Sequence, residues 1–146
     1  MPAKRAAVLT WACLLVTSVL GQDAGRAPPC SRTCRADNCD SLNIKYGKYC
    51  GIGYTGCSEE KPCDGVDSCC KKHDGCCTRH GLMYIPCHER FIKCLNKEVA
   101  SGRMGFSDQC PYSKVVPLME QSMQVAMMFG THDSAEARGA QRSGDL

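Results

Sequence analysis

The sequence predicts a small, mainly α-helical and disulfide-rich domain with two antiparallel helices at its centre. Three observations support this fold class. The chain of 146 residues contains 14 cysteines, a density typical of scaffolds held together by cross-links. Two segments joined by a short connection carry apolar residues and cysteines at helical spacing. No segment shows the alternating pattern that predicts a strand. The length indicates a single domain.

The N-terminus has the pattern of a secretory leader. A basic start precedes an uncharged apolar run at residues 6–20, which is too short to span a bilayer comfortably. A cut after Gly21 fits the small residues preferred at the cleavage site, and cuts after Ala24 or Ala27 also fit. We therefore expect residues 1–21 to be a signal peptide and the protein to be secreted to the extracellular space.

Charge and cysteine content narrow the class of protein further. Removal of the leader would lower the formal charge from +3 to +1, because the leader holds two basic residues and no acidic one. A nearly neutral protein is not expected to bind nucleic acid through its overall charge. Cys13 would leave with the leader, so 13 cysteines would remain. That odd number predicts one unpaired thiol in an oxidising compartment.

The first predicted helix runs from Asp64 to His80. Asp64 is a suitable N-cap, Asp67 favours the positive end of a helix, and Gly81 is a suitable C-terminal stop. The Gly- and Tyr-rich segment at residues 46–61 precedes this helix and is predicted to be an ordered loop.

A second helix is predicted from Cys87 to Val99, and the short connection before it implies an antiparallel pair. Pro117 to Phe129 has a third, Met-rich helical pattern. This third helix could pack on the other two, or it could line a lipid entrance. We expect the domain to span residues 22–130 and a polar, flexible tail to follow at 131–146.

Two neighbouring residues of the first helix have the chemistry of a hydrolytic site. His73 lies between cysteines one turn before and one turn after it. If those cysteines are cross-linked to the second helix, the imidazole is held rigidly and can take a proton from water near neutral pH. Asp74 points about 100° away around the helix, so it can reach the preceding loop but cannot be the partner of His73.

The glycines of that loop allow its backbone to curl so that several carbonyl oxygens converge. Calcium binds backbone carbonyls and carboxylates readily. The loop and Asp74 together therefore predict a calcium-binding site. In one hydrolytic mechanism, His73 polarises a water that attacks an ester while Ca²⁺ stabilises the oxyanion.

The string from Cys69 to Cys76, with Cys70, His73 and Asp74 inside it, resembles the active-site signature of secreted phospholipases A2. The Tyr-Cys-Gly-x-Gly run at 49–53 resembles the calcium loop of that family, and residues 46–65 are similar to its small plant-type subfamily. The resemblance covers about residues 30–110. It implies Ca²⁺-dependent hydrolysis of the sn-2 ester of glycerophospholipids, giving a fatty acid and a lysophospholipid, at a membrane or micelle surface. We expect a monomer without a nucleic-acid partner.

Carried over by motif, the resemblance assigns His73 as the catalytic base and Asp74 as a calcium ligand. It adds the backbone carbonyls of Tyr49 and Gly51. The third carbonyl is either that of Gly53, by direct spacing, or that of Tyr54, which the plant-type pattern favours. We expect Tyr54.

The resemblance also implies three disulfides, Cys50–Cys70, Cys69–Cys94 and Cys76–Cys87. The last two would clamp the two helices together. Cys77 stands where the plant-type family is expected to have another residue, so Cys77 is the expected unpaired thiol.

One position departs from the wider family, in which an aspartate after the second-helix cysteine orients the histidine. Here that residue is His88. Either His88 stays neutral and accepts a hydrogen bond, or a water or Glu89 takes the role. This departure motivates an alternative, a weakly active or inactive phospholipase-like binding or signalling protein. A cysteine-flanked histidine could also be a zinc ligand, although the leader and the cysteine count favour disulfides.

Overall fold

The computed structural model describes residues 29–143; the predicted leader at 1–21 and the last three residues lie outside this range. The described elements, in chain order, are strands β1 (Arg35–Asp37) and β2 (Lys45–Gly47), followed by helices α1 (Gly65–His80), α2 (Ile85–Ala100), α3 (Tyr112–Met128) and α4 (Ser134–Ser143). Two antiparallel disulfide-linked helices, α1 and α2, form the centre, as the sequence predicted. None of the helices within 29–143 is long and apolar enough to cross a membrane.

Helix α1 begins and ends where the sequence predicted. The side chain of Asp64 accepts a hydrogen bond from the backbone N–H of Asp67 at 2.9 Å, which satisfies a donor of the first turn. Gly81 ends the helix at φ +99°, a conformation that favours glycine. Its N–H donates to the carbonyl of Cys77.

Helix α2 begins at Ile85, two residues before the predicted start. Pro86 is tolerated in the first turn because an N–H at that position would have no helical carbonyl to bond. Phe91 and Leu95 are buried at 5% and 0% exposure. They pack in the hydrophobic core that also includes Val66 of α1. The apolar stripe read from the sequence therefore identified the inner face of α2.

Helix α3 begins five residues before the predicted start and contains Pro117 in its second turn. A proline inside a helix costs about 3 kcal/mol through a lost hydrogen bond and a clash with the preceding turn. Tyr112, Val115 and Val116 are all buried in the core. The burial of these residues before the proline explains why the helix extends through it, which local propensity alone could not indicate.

The two strands were not predicted. They pair antiparallel with Arg35 opposite Gly47 and Asp37 opposite Lys45. Three residues are too few to establish an alternating pattern, so the sequence carried no strand signal. The pairing anchors the Cys-rich N-terminal segment to the start of the Gly- and Tyr-rich loop.

Helix α4 occupies the segment that was expected to be a flexible tail. Asp133 accepts hydrogen bonds at its side chain from the N–H groups of Ala135 and Glu136, which is an N-cap arrangement. Ala137 is fully buried. A Cβ added to Gly81 would lie 2.8 Å from the backbone of Ala137, so α4 packs directly on the end of α1. The small side chains that suggested disorder are the ones that allow this close approach.

Six disulfides connect the described residues. Three of them, Cys50–Cys70, Cys69–Cys94 and Cys76–Cys87, are the pairs that the family resemblance implied, and this prediction is confirmed. The other three join the N-terminal segment to the rest of the chain: Cys30–Cys57, Cys34–Cys63 and Cys39–Cys110. Cys77 is the free thiol, as expected.

Candidate active site

His73 is held between the two disulfides that join α1 to α2. Cys69 lies one turn before it and Cys76 three residues after it, and both are bonded to α2. The imidazole stacks at a tilt on Phe91, with 4.7 Å between the ring centroids. The ring therefore has little freedom. The sequence predicted this for the case in which the flanking cysteines are cross-linked to the second helix.

His88 is the hydrogen-bond partner of His73. Nε2 of His73 lies 2.9 Å from Nδ1 of His88, and Nε2 of His88 lies 2.8 Å from the carbonyl oxygen of Leu82. A carbonyl oxygen can only accept, so Nε2 of His88 carries the proton and Nδ1 of a neutral His88 is the acceptor. His73 must then donate from Nε2, which leaves its Nδ1 unprotonated. This is the first of the two arrangements that the sequence left open; Glu89 is exposed on the surface.

Burial keeps both rings neutral. Desolvation and, to a smaller extent, the neighbouring His88 together lower the pKa of His73 to about 4. Burial also lowers the pKa of His88, against a smaller opposing effect of its bond to the Leu82 carbonyl. At neutral pH the pair therefore has one defined arrangement of protons, with a free lone pair on Nδ1 of His73.

Asp74 points away from His73 toward the loop. Its carboxylate accepts a hydrogen bond from Oγ1 of Thr55 at 3.0 Å. Burial raises the pKa of Asp74 to about 6, the Thr55 bond opposes that rise, and repulsion from Asp67 adds to it. Asp74 forms no ion pair within the described part of the chain. A partly buried carboxylate without an ion-pair partner is a suitable ligand for a metal ion.

The loop facing Asp74 is ordered by its own backbone bonds. Tyr46 and Cys50 exchange N–H···O bonds at 2.9 and 3.1 Å, and the N–H of Tyr54 donates to the carbonyl of Gly51 at 3.3 Å. Gly51 and Gly53 adopt φ values of +151° and +64° that favour glycine.

These internal bonds leave several loop carbonyls available. Across residues 29–143, no hydrogen bond is donated to the carbonyl oxygen of Tyr49, Gly53 or Tyr54, and that of Gly51 retains a second lone pair. Carbonyl and carboxylate oxygens form a hard donor set that suits a divalent cation such as Ca²⁺. The residues present therefore fit a hard cation, and either Gly53 or Tyr54 can supply the third carbonyl.

Asp67 anchors this loop, a role that sequence reasoning missed. Its carboxylate accepts hydrogen bonds from the backbone N–H groups of Lys48, Tyr49 and Cys63 at 2.8–3.0 Å. The side chain is fully buried. A Cβ on Gly47 would collide with this carboxyl group, so Asp67 requires glycine there. Its position in the first turn of a helix suggested only an interaction with the helix dipole, and no local pattern indicated the contact with the loop.

Cys77 lies beside Nε2 of His73, the nitrogen that also faces His88. Its Sγ is 3.5 Å from Nε2 of His73. Burial raises the pKa of this thiol to about 11, and Asp74 contributes in the same direction. The thiol is therefore protonated and unreactive at neutral pH.

An open cleft of about 240 Å³ lies between α1 and α2 beside His73. Its floor includes Phe91 and the two inter-helix disulfides. Three basic side chains line it: Lys72, Arg79 and Arg90. An apolar floor with a cationic rim can hold an apolar group that carries a negative charge.

No family model matches the chain. Curated relatives do match. Phospholipase A2-beta of Arabidopsis thaliana is 47% identical over 110 residues, which cover 71% of this chain and 75% of that protein. Probable phospholipase A2 homolog 1 of Oryza sativa subsp. japonica is 50% identical over 100 residues, which cover 68% of this chain and 72% of that protein.

Solved structures agree with these relatives. Oryza sativa (rice) PLA2 superimposes with a TM-score of 0.63 at 32% identity, over 70% of this chain and 85% of that one. Its complex with octanoic acid gives a TM-score of 0.63 over 90% of that chain. The helical pair, the disulfides that join it and these similarities lead to one conclusion: the chain belongs to the small plant-type secreted phospholipase A2 family.

Proposed function

We propose that the protein is a Ca²⁺-dependent phospholipase A2 that hydrolyses the sn-2 ester of glycerophospholipids to a fatty acid and a lysophospholipid. One observation carries the proposal. The consecutive residues His73 and Asp74 contact different partners, His88 of α2 and Thr55 of the loop. A base and a cation ligand are thereby presented side by side from one rigid helix.

In this proposal His73 is the general base. Its Nε2–H donates a hydrogen bond to His88, so Nδ1 is the nitrogen that accepts a proton from the attacking water. The imidazolium that forms keeps its hydrogen bond to Nδ1 of His88. His88 in turn donates to the Leu82 carbonyl, which stabilises the positive charge on the adjacent ring.

The Ca²⁺ ligands in this proposal are the carboxylate of Asp74 and the carbonyls of Tyr49, Gly51 and Tyr54. The partly buried Asp74 carboxylate, which has no ion-pair partner among the described residues, and the available loop carbonyls support this assignment. When bound, Ca²⁺ supplies a positive charge that stabilises the oxyanion and can hold the phosphate. Asp67 holds the backbone of Tyr49 in position for this role.

The cleft and the disulfides support the proposed substrate class and destination. The basic rim at Lys72, Arg79 and Arg90 suits a lipid headgroup or a released carboxylate at a membrane surface. Cross-links of this density are maintained in oxidising compartments, which supports secretion. The leader at 1–21 and the domain at 22–130 remain part of the proposal, whereas the flexible tail expected at 131–146 contains α4, which packs on the end of α1.

A second candidate is a weakly active or inactive member of the family that acts as a binding or signalling protein. His88 favours it, because a neutral imidazole stabilises an imidazolium less than a carboxylate does. The two candidates differ in turnover and share the fold.

Fatty-acid release from phospholipid vesicles separates the candidates. We expect release that stops in EDTA and resumes with excess Ca²⁺. His73→Asn should abolish release and retain Ca²⁺ binding, whereas Asp74→Asn should lose both. His132→Asn, at an exposed histidine, is the matched control and should leave release unchanged. Release that persists in EDTA or in His73→Asn would overturn the proposed function.

A further inference from the structure

We infer that His73, Cys77 and His88 form a binding site for a thiophilic divalent metal ion, with Zn²⁺ as the ion that best suits these donors. The site lies on the Nε2 side of His73 and is distinct from the oxygen-lined site at Asp74. The binding itself follows from side-chain geometry. Its consequence for catalysis rests on the proposed function of His73.

The spacing of the three donor atoms fits a tetrahedral ion. One ligand atom from each residue lies within 4.8 Å of the other two. Zn–S and Zn–N bonds of about 2.3 and 2.0–2.1 Å at a tetrahedral angle place sulfur and nitrogen about 3.5 Å apart. Sγ of Cys77 and Nε2 of His73 are 3.5 Å apart. The two imidazole nitrogens are 2.9 Å apart and need to separate by only about 0.5 Å to reach tetrahedral spacing.

The surroundings of His88 already match those of a metal-bound histidine. Metal ligands of this type usually donate their other ring N–H to a backbone carbonyl or a carboxylate, which fixes the tautomer and the ring orientation. Nε2 of His88 donates to the Leu82 carbonyl at 2.8 Å, so Nδ1 presents its lone pair toward His73 and Cys77. His88 is 1% exposed and cannot easily rotate away.

An ion can reach this cluster, and it would prefer it to the calcium site. His73 lines the open cleft between α1 and α2, and Cys77 is partly exposed, so two of the three ligands can be reached from solvent. A water can then complete the tetrahedron as fourth ligand. Imidazole and thiolate donors select Zn²⁺, whereas carbonyl and carboxylate oxygens select Ca²⁺. The two sites therefore discriminate by ligand type although His73 and Asp74 are adjacent.

Binding has a defined effect on the protons. Nε2 of His73 gives its lone pair to the metal, so the single proton of the neutral ring moves to Nδ1. The Cys77 thiol releases its proton to solvent and binds as thiolate. His73 then has no lone pair left to accept a proton from water. Zn²⁺ at this site would inhibit hydrolysis even when Ca²⁺ saturates its own site.

Co²⁺ provides a direct test, because a tetrahedral Co²⁺–thiolate bond has a charge-transfer absorption that an oxygen-only site lacks. The experiment uses the secreted protein with disulfides intact. We expect about one Co²⁺ per chain with this absorption, and its loss on addition of an equimolar amount of Zn²⁺. A wild-type protein that gives no charge-transfer band would overturn the proposal, whatever its activity.

Two variants locate the site. Cys77→Ser should lose the band and bind Zn²⁺ at least about tenfold more weakly, whereas Asp74→Asn should keep the band and lose Ca²⁺ binding. The opposite result, Zn²⁺ binding that survives in Cys77→Ser and fails in Asp74→Asn, would assign Zn²⁺ to the calcium site and overturn the proposal.

In vesicle assays, Zn²⁺ added with excess Ca²⁺ should inhibit wild type at least about tenfold more strongly than Cys77→Ser. An inactive wild type would refute the proposed function and leave the cobalt result as the test of the site.

Discussion

His73 and His88 share one hydrogen bond, with 2.9 Å between Nε2 of the first ring and Nδ1 of the second. The Leu82 carbonyl determines its direction, since it obliges Nε2 of His88 to carry the proton. An imidazole thus occupies the place where the resemblance to the wider family led us to expect an aspartate. It can orient His73 as a carboxylate would, but it brings no negative charge.

This hydrogen bond predicts a difference between two substitutions of His88. His88→Leu removes the nitrogen acceptor and leaves the Nε2–H of His73 with only the weak sulfur acceptor of Cys77 at 3.5 Å, a loss of about 1–3 kcal/mol. We expect kcat to fall about ten- to hundredfold with little change in KM. His88→Asn presents an amide oxygen near the position of Nδ1 and should recover most of kcat. Steady-state kinetics at saturating Ca²⁺ measures both variants.

The comparison has a clear negative outcome. If His88→Leu turns over as fast as the wild type while both variants melt at similar temperatures, His88 has no positioning role.

The low pKa of His73 predicts how stability depends on pH. The unfolded chain binds a proton at this residue near its ordinary pKa of 6.5, and the folded chain binds it only near pH 4. Stability should therefore fall as the pH is lowered from about 6.5 to 4 and should not change for this group outside that window. At about 1.4 kcal/mol per pKa unit, this shift in pKa corresponds to a loss of about 3 kcal/mol.

Denaturant titration at several pH values, with disulfides intact, gives the measurement. His73→Asn should lose stability less steeply than the wild type across this window, whereas His132→Asn should match the wild type. Equal slopes in wild type and His73→Asn would show that the ring is not buried in its neutral form.

The contrast between α1 and the loop anchor explains what the sequence could predict. Helix α1, its caps and the position of His73 depend on residues close together in the chain, so periodicity and cap chemistry were sufficient. Asp67 acts on Lys48 and Tyr49, which are 18–19 residues away. A contact at that separation depends on how two segments pack, and single-sequence patterns carry no signal for it.

The same reasoning accounts for the other differences. Pro117 lies inside α3 because buried neighbours outweigh its local cost, and α4 forms because Ala137 can pack against Gly81. The sequence left several candidates for the hydrogen-bond partner of His73. The choice depends on the contact between His88 and the Leu82 carbonyl, and no sequence pattern indicates that contact. Tertiary packing determined each of these features.

The buried carboxylate of Asp67 predicts that Asp67→Asn weakens calcium binding without touching the ion. An amide keeps one acceptor oxygen but turns an NH₂ group toward the backbone N–H donors of Lys48 and Cys63. We expect a loss of about 2–3 kcal/mol in stability and at least a tenfold loss of Ca²⁺ affinity. Calorimetric titration measures the affinity, and Asp108→Asn at an exposed aspartate is the control. Unchanged affinity in Asp67→Asn would exclude the anchoring role.

Calcium removal should lower the melting temperature if Asp74 is a ligand. A ligand at 100 times its Kd stabilises the folded state by about 2.7 kcal/mol. Thermal melts with Ca²⁺ and with EDTA should therefore differ by several degrees in wild type and in His73→Asn. Asp74→Asn should show no difference. A calcium-dependent shift that survives in Asp74→Asn would place the ion elsewhere.

Helix α4 predicts an effect on catalysis from a segment outside the cleft. Its Gln141 side chain accepts a hydrogen bond from the N–H of Leu82 at 3.2 Å, and the Leu82 carbonyl holds His88. Ala137 packs without exposure against Gly81, so Ala137→Glu should displace the helix and loosen Leu82. We expect kcat to fall several-fold while KM and Ca²⁺ affinity stay near wild type. Ala140→Glu places the same charge on the exposed face of α4 and should leave kcat unchanged. Equal kcat in both variants would show that α4 has no influence on the histidine pair.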